Sequence, residues 1–174
     1  MDNRVNQVRK NNNNHKAELV RKYQAQLVTP FAVLGIITEE DWLTDIDYLP
    51  LNVPSMAPQD YLAKEVCRQL QAYLVEPNFK FDINMLISGT PHQRRVWQAI
   101  QDVSSGGTVS YAEIAAQLHS APRAVGRACG ANRIPIIIPC HRVISKNGGL
   151  GGFMNSSDGS PLEIKRWLLR HESA

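Results

Sequence analysis

Between Ile134 and Val143 the chain reads Ile-Pro-Ile-Ile-Ile-Pro-Cys-His-Arg-Val. An apolar run of this kind reads as a buried strand, which holds its backbone still. Pro139 ends it with a fixed φ and no donor. Cys140, His141 and Arg142 therefore follow in a defined place rather than on a mobile tip. A thiol beside a potential base is a candidate nucleophile. A bare cysteine inside an apolar run would instead be an inert structural one. His141, Arg142 and, upstream, Asn132 favour the first reading.

The rest of the chain is consistent with a soluble globular protein. Its 174 residues suffice for one fair-sized domain or two small ones sharing a core. No apolar run approaches the length of a membrane span. The polar N-terminus, with Asn11 to Asn14 in a row, does not read as a signal peptide. Cys67, Cys129 and Cys140 are three in number and show no paired spacing, which fits a reducing compartment. Cytoplasmic location is expected: nucleoid-associated in a bacterium, nuclear in a eukaryote. No Cys/His set has metal-ligand spacing, so no metal is expected.

Charge is divided unevenly. Residues 1–89 carry 9 Lys+Arg against 11 Asp+Glu, whereas residues 90–174 carry 10 against 5. A basic excess confined to one half suits a surface that meets a polyanion, or one that is merely solvated.

Residues 1–20 read as a polar tail, with helical character near Lys16 to Lys22. Tyr23 to Val28, Ala32 to Thr38 and Trp42 to Tyr48 read as short strands. Ala57 to Leu74 reads as a helix with Tyr61, Leu62, Val66, Leu70 and Tyr73 on its inner stripe. An irregular connector, Phe79 to Thr90, marks a domain boundary near residue 88. Beyond it, Thr90-Pro91 starts a helix through about Val103. Ser110 caps Tyr111 to Leu118, with Glu113 completing a capping box. Pro122 to about Ala131 and Glu163 to about His171 form the remaining helices. The fold class is thus α/β (α+β). A strand-rich domain with one helix, residues 21–88, precedes a helical domain, residues 89–174.

Helix, short turn and helix in a basic half-chain outline a helix-turn-helix. The second of these helices is rich in small residues. Gly126 and Gly130 inside it point to close packing, since each costs about 1 kcal/mol against Ala.

Pro139-Cys140-His141-Arg142-Val143 resembles the signature of the O6-alkylguanine-DNA alkyltransferases, the methylated-DNA–protein-cysteine methyltransferases. Val96-Trp97, Val109-Ser110-Tyr111, Arg123-Ala124-Val125-Gly126, Asn132 and the stretch from Trp167 to Glu172 match the family in order. The resemblance covers roughly residues 88–173. It implies DNA repair by direct, stoichiometric transfer of an alkyl group from guanine O6 to Cys140, a suicide reaction without a cofactor. It leaves O4-alkylthymine open as a second substrate. The implied partner is double-stranded DNA carrying O6-alkylguanine. A monomer is expected, with cooperative assembly on DNA left open and no membrane partner.

The resemblance also assigns roles. His141 would draw the proton from Cys140 through a water, and Glu172 would hold the imidazole. Asn132 would orient Cys140, and the Tyr111 hydroxyl would meet the leaving guanine. Arg123 would fill the gap left by a base flipped out of the stack. His92 and Lys146 would contact the DNA backbone. Pro135 and Val143 would line the base pocket. The segment after Cys140 reads about five residues longer than in relatives, with the excess in 154–161. Gly159 and Ser160 are the expected equivalents of the loop that closes the alkyl pocket.

Three other readings remain. A non-catalytic lesion sensor of the same fold would lack the nucleophile. A Cys-His hydrolase would need an oxyanion hole and would turn over. A plain helix-turn-helix regulator leaves the Pro139 to Val143 run unexplained.

Overall fold

The computed structural model describes residues 22–155 and 159–173. The expected tail and its helix near Lys16 lie outside the described residues, apart from Lys22 at the margin. β1 (Ala25–Val28), β2 (Val33–Glu39) and β3 (Trp42–Leu49) form an antiparallel sheet in that order. The β1–β2 turn is closed by Thr29, whose Oγ1 donates to Ala32 O at 2.7 Å and accepts from Ala32 N at 3.2 Å. Val28 pairs with Val33 across it, and Val33 with Leu49.

Helix α1 (Tyr61–Val75) begins four residues later than the periodicity suggests. Asp60 sets the start: Oδ1 caps Ala63 N at 2.7 Å, and Oδ2 accepts from Thr38 Oγ1 at 2.6 Å, tying helix to sheet. Val66, Leu70 and Tyr73 face inward as expected, but Tyr61, in the first turn, is 85% exposed.

Helix α2 (Pro91–Gln101) carries a full capping box from Thr90 and Gln93. Trp97 on its inner face donates Nε1 to Ala128 O at 2.8 Å. Helix α3 (Tyr111–Gln117) has the expected Ser110–Glu113 box. Helix α4 (Pro122–Gly130) starts at Ala121 with no side-chain cap. Pro122 supplies the fixed φ and needs no donor partner there. Helix α5 (Ser160–Glu172) begins three residues before Glu163, with Pro161 in its first turn. Two short strands, β4 (Val109–Ser110) and β5 (Val143–Ile144), pair in parallel and were not foreseen. Two-residue strands leave no alternation to read.

One hydrophobic core runs through the molecule. Leu34, Ile36, Leu43 and Leu70 from the first half join Trp97, Ile114, Ile138 and Leu168 from the second. Polar ties cross as well. Arg133 grips Asp45 with two hydrogen bonds, at 2.7 and 3.0 Å, and its carbonyl accepts from Ile46 N at 2.8 Å.

The run Ile134–Ile138 is not a strand. It folds into a buried turn in which Ile138 N donates to Ile134 O at 3.0 Å and Pro135 bridges Ile138. Ile136 sits at φ +73°, a left-handed conformation that costs a β-branched residue about 1–3 kcal/mol. The surrounding core holds it there: Ile134, Ile136, Ile137 and Ile138 are all buried. The purpose inferred from the sequence, a fixed platform for Cys140, is met by a different backbone. Cys140 to Arg142 then form one 3₁₀ turn.

Candidate functional site

Cys140 is 4% exposed, yet it forms part of the wall of two cavities. The larger, about 740 Å³, opens on the α3–α4 pair and is lined by Tyr111, Arg123, Gly126 and Arg127 together with the loop 151–155. The smaller, about 410 Å³, lies between β3 and the end of α4, and includes Asp45, Tyr48, Asn132 and Pro135. Cys129, Phe153 and Met154 border both.

Asn132, just past α4, fixes the turn and the thiol together. Its Oδ1 accepts from Ile134 N at 3.0 Å, while Nδ2 donates to Ile138 O at 2.9 Å and to Cys140 Sγ at 3.0 Å. Burial pushes the Cys140 thiol well up from its ordinary range; the Asn132 donor and the Lys165 charge pull the other way. The resting sulfur is therefore a thiol, and any attack by it needs a base.

His141 and Glu172, 31 residues apart in sequence, meet at 2.7 Å through Nε2 and Oε1. Both are buried. Burial lowers the His141 pKa, with Glu172 opposing, so the ring is neutral near pH 7. His141 Nδ1 is buried and has no hydrogen-bond partner among the described residues. Glu172 is a hub as well as a partner. Its Oε1 also accepts from Tyr73 Oη at 2.8 Å and Arg142 Nη2 at 2.9 Å, and Oε2 from Arg142 Nε at 2.9 Å. Burial alone would raise its pKa, but the hydrogen bonds from His141 and Arg142 outweigh that and hold it well below the carboxylate range. The sequence reading missed Tyr73 and placed no role on Arg142. An arginine following a His could have signalled the second; a core tyrosine gives no such sign.

Tyr111 donates its hydroxyl to Gly152 O at 3.0 Å, and burial raises its pKa. Its ring packs on Gly151, where an added Cβ would come within 2.8 Å of it. On α4, a Cβ at Gly130 would meet only the end of the exposed Asn155 side chain, which can turn aside, and one at Gly126 would sit 3.9 Å from Tyr111, so the close packing expected at these glycines is not required by their neighbours.

Lys165 was also missed. It is completely buried, and Nζ donates to Val143 O at 2.6 Å, Leu150 O at 2.5 Å and Gly152 O at 3.1 Å. It thereby pins the loop beside the thiol. Desolvation brings its pKa down to about 8. A lysine on a helix otherwise reads as solvent-facing, which is why no pattern revealed it.

Arg123 is exposed in the first turn of α4 and shares the larger cavity with Tyr111 and Cys140. His92, half-buried in the first turn of α2, and Lys146, exposed in the turn after β5, line neither cavity. Of the four expected pocket residues, only Pro135 lines a cavity with Cys140. Val143 is fully buried in the core, its carbonyl taken by Lys165. Gly159 is the N-cap of α5 and Ser160 its first residue; both are exposed and line neither cavity. Phe153 and Met154, which were not among the expected pocket residues, line both cavities with Cys140.

A helix-turn-helix with a thiol at its back and a His–Glu pair beside that thiol defines a class: DNA-facing proteins with a nucleophilic cysteine. A family described as "6-O-methylguanine DNA methyltransferase, DNA binding domain" matches residues 91–174. The methylated-DNA–protein-cysteine methyltransferase of Methanosarcina acetivorans is 35% identical over 159 residues, covering 87% of this chain and 99% of that protein. The constitutive enzyme of that name from Bacillus subtilis is 39% identical over 138 residues, 78% of this chain and 79% of its own. Among solved structures, Mycobacterium tuberculosis OGT in complex with DNA superposes with a TM-score of 0.72 at 35% identity, over 85% of this chain and 91% of that one. The chain belongs to the methylated-DNA–protein-cysteine methyltransferase family.

Proposed function

We propose that this protein repairs O6-alkylguanine in double-stranded DNA by moving the alkyl carbon onto Cys140, once per molecule. The observation that carries the reading is the Cys140 thiol, held by Asn132 on the wall of the cavity it shares with Arg123, next to a His–Glu pair with a bare Nδ1. The target carbon is inaccessible in a stacked duplex, so the base is flipped out at a cost of a few kcal/mol. Arg123 fills the gap, and α4 lies in the groove. His92 and Lys146 meet phosphates.

In the chemical step the Cys140 proton passes through a water to His141 Nδ1 and the sulfur attacks the alkyl carbon. The C–S bond forms as the C–O bond breaks. Glu172 stabilises the resulting imidazolium. Negative charge on the leaving guanine is met by the Tyr111 hydroxyl, which turns to it from Gly152 O. Phe153, Met154 and Pro135 enclose the alkyl group. A thioether offers no leaving path, so the product is dead protein and repaired DNA. No cofactor takes part.

Residues 89–174 hold the chemistry and residues 21–88 support it. The protein acts as a monomer in the cytoplasm, on the nucleoid of a bacterium or in the nucleus of a eukaryote. Among the described residues no helix is long and apolar enough to cross a membrane. A lesion-binding sensor would leave the thiol and its base without a use. The test is to incubate the protein with an oligonucleotide bearing O6-methylguanine and weigh the intact chain. One added methyl, absent in Cys140→Ala, is expected; binding without an adduct overturns the reading.

A further inference from the structure

Cys129 has no part in the reaction above, yet its place is specific. It stands in the last turn of α4, which leads through Asn132 to the loop carrying Cys140. Its side chain lies close enough to the Cys140 thiol to help push that thiol's pKa up, and both residues line both cavities. Both are free cysteines. The third, Cys67, is buried in α1 and borders neither cavity.

We propose that Cys129 is the resolving thiol of Cys140, so that a hydroperoxide entering either cavity converts the pair to a Cys129–Cys140 disulfide. The hydroperoxide accepts two electrons from one sulfur, giving a sulfenic acid and an alcohol or water. The second thiol attacks that sulfur, the S–S bond forms, and water leaves with the sulfenic oxygen. In sum, two thiols and one hydroperoxide give one disulfide, one alcohol (or water) and one water.

Without a neighbour, a sulfenic acid climbs to the sulfinic state, which ordinary thiols do not reverse. A nucleophile that can react only once is lost to repair by such an event. A disulfide instead holds it in a form that a thiol reductant releases. In the disulfide Cys140 Sγ is no longer a thiol and cannot attack the alkyl carbon, so alkyl transfer stops until reduction. Burial keeps Cys140 protonated and makes the first oxidation slow.

The sequence provides a clean readout. Arg127, Arg133 and Arg142 place the two cysteines in separate tryptic peptides, 128–133 and 134–142. The full chain is treated with hydrogen peroxide, remaining thiols are blocked, and the unreduced digest is weighed. A linked pair of these peptides that dithiothreitol separates is expected. In Cys129→Ser, peptide 134–142 should carry two added oxygens instead, and dithiothreitol should not remove them. Cys129→Ala provides the same comparison if the serine variant fails to fold, and the wild-type linked peptide stands without either. The proposal is overturned if wild type accumulates sulfinic acid as fast as the variants with no linked pair, or if Cys140 links to Cys67. Peptide masses do not depend on alkyl transfer, so this result and the function assigned above stand or fall separately.

Discussion

His141 Nε2 lies 2.7 Å from Glu172 Oε1, and this contact decides which ring nitrogen is free. A carboxylate only accepts, so Nε2 carries the proton of the neutral ring and Nδ1 keeps its lone pair, a tautomer assigned from the contact. The bare nitrogen is thus the one that can serve Cys140.

Glu172→Gln should therefore slow methyl transfer about 10²–10⁴-fold, the usual worth of a positioned base. It should also destabilise the fold by about 3–5 kcal/mol, because Arg142 loses its buried counter-charge. Single-turnover rates and urea unfolding measure the two effects. A rate within threefold of wild type would contradict the assignment of the pair.

Acid should weaken the fold through the same pair. Unfolded His141 titrates near 6.5 and unfolded Glu172 near 4.5, and both are lower when folded. In each window the unfolded chain binds more protons than the folded one, so stability falls as pH falls. The His141 contribution is lost below 6.5 and that of Glu172 below 4.5. Unfolding free energies followed from neutral pH to below 4.5 should decline, and Glu172→Gln should flatten the lower part of the curve.

Asn132→Ala removes one donor to the sulfur and leaves Ile134 N without its partner, while Ile138 O keeps Cys140 N at 2.8 Å. A loss of about 1–3 kcal/mol for the unpaired Ile134 N is expected. Asn132→Asp should do more to the chemistry than to the fold. It replaces the donor with a negative charge and pushes the Cys140 pKa further up. A thiol-alkylation rate against pH reads that shift.

Lys165→Met fills a similar volume but abandons the carbonyls of Val143, Leu150 and Gly152. Destabilisation of about 2–5 kcal/mol should follow, with faster amide exchange in residues 150–153. Tyr48→Phe is the converse case. The Tyr48 hydroxyl is buried with no partner among the described residues, so its removal should be neutral or stabilise by about 1 kcal/mol. Thermal melts of both variants test the contrast.

What was legible in the sequence follows from how local each signal is. Pro91 after Thr90 and the capping box at Ser110 are local signals, and both helices start where they should. The first sheet was readable from strand-length apolar stretches between turns. The Ile134–Ile138 run misled because continuous apolar residues do not distinguish a buried strand from a buried turn. Only the packed core explains an isoleucine at φ +73°. At the site, Cys140, His141 and Asn132 lie within ten residues and stood out as a motif. Tyr73 and Lys165 reach the site through tertiary folding alone, and in sequence they look like an ordinary core aromatic and an ordinary helix cation. Phe153 and Met154 line the cavities where Gly159 and Ser160 were expected, and no local pattern in the sequence separates the two pairs.

The most direct measurement is the end point of methyl transfer with O6-methylguanine DNA in excess. The account predicts a plateau at one methyl per protein chain, all of it on tryptic peptide 134–142, which contains Cys140. Continued turnover past that plateau, or a methyl found on any other peptide, would contradict it.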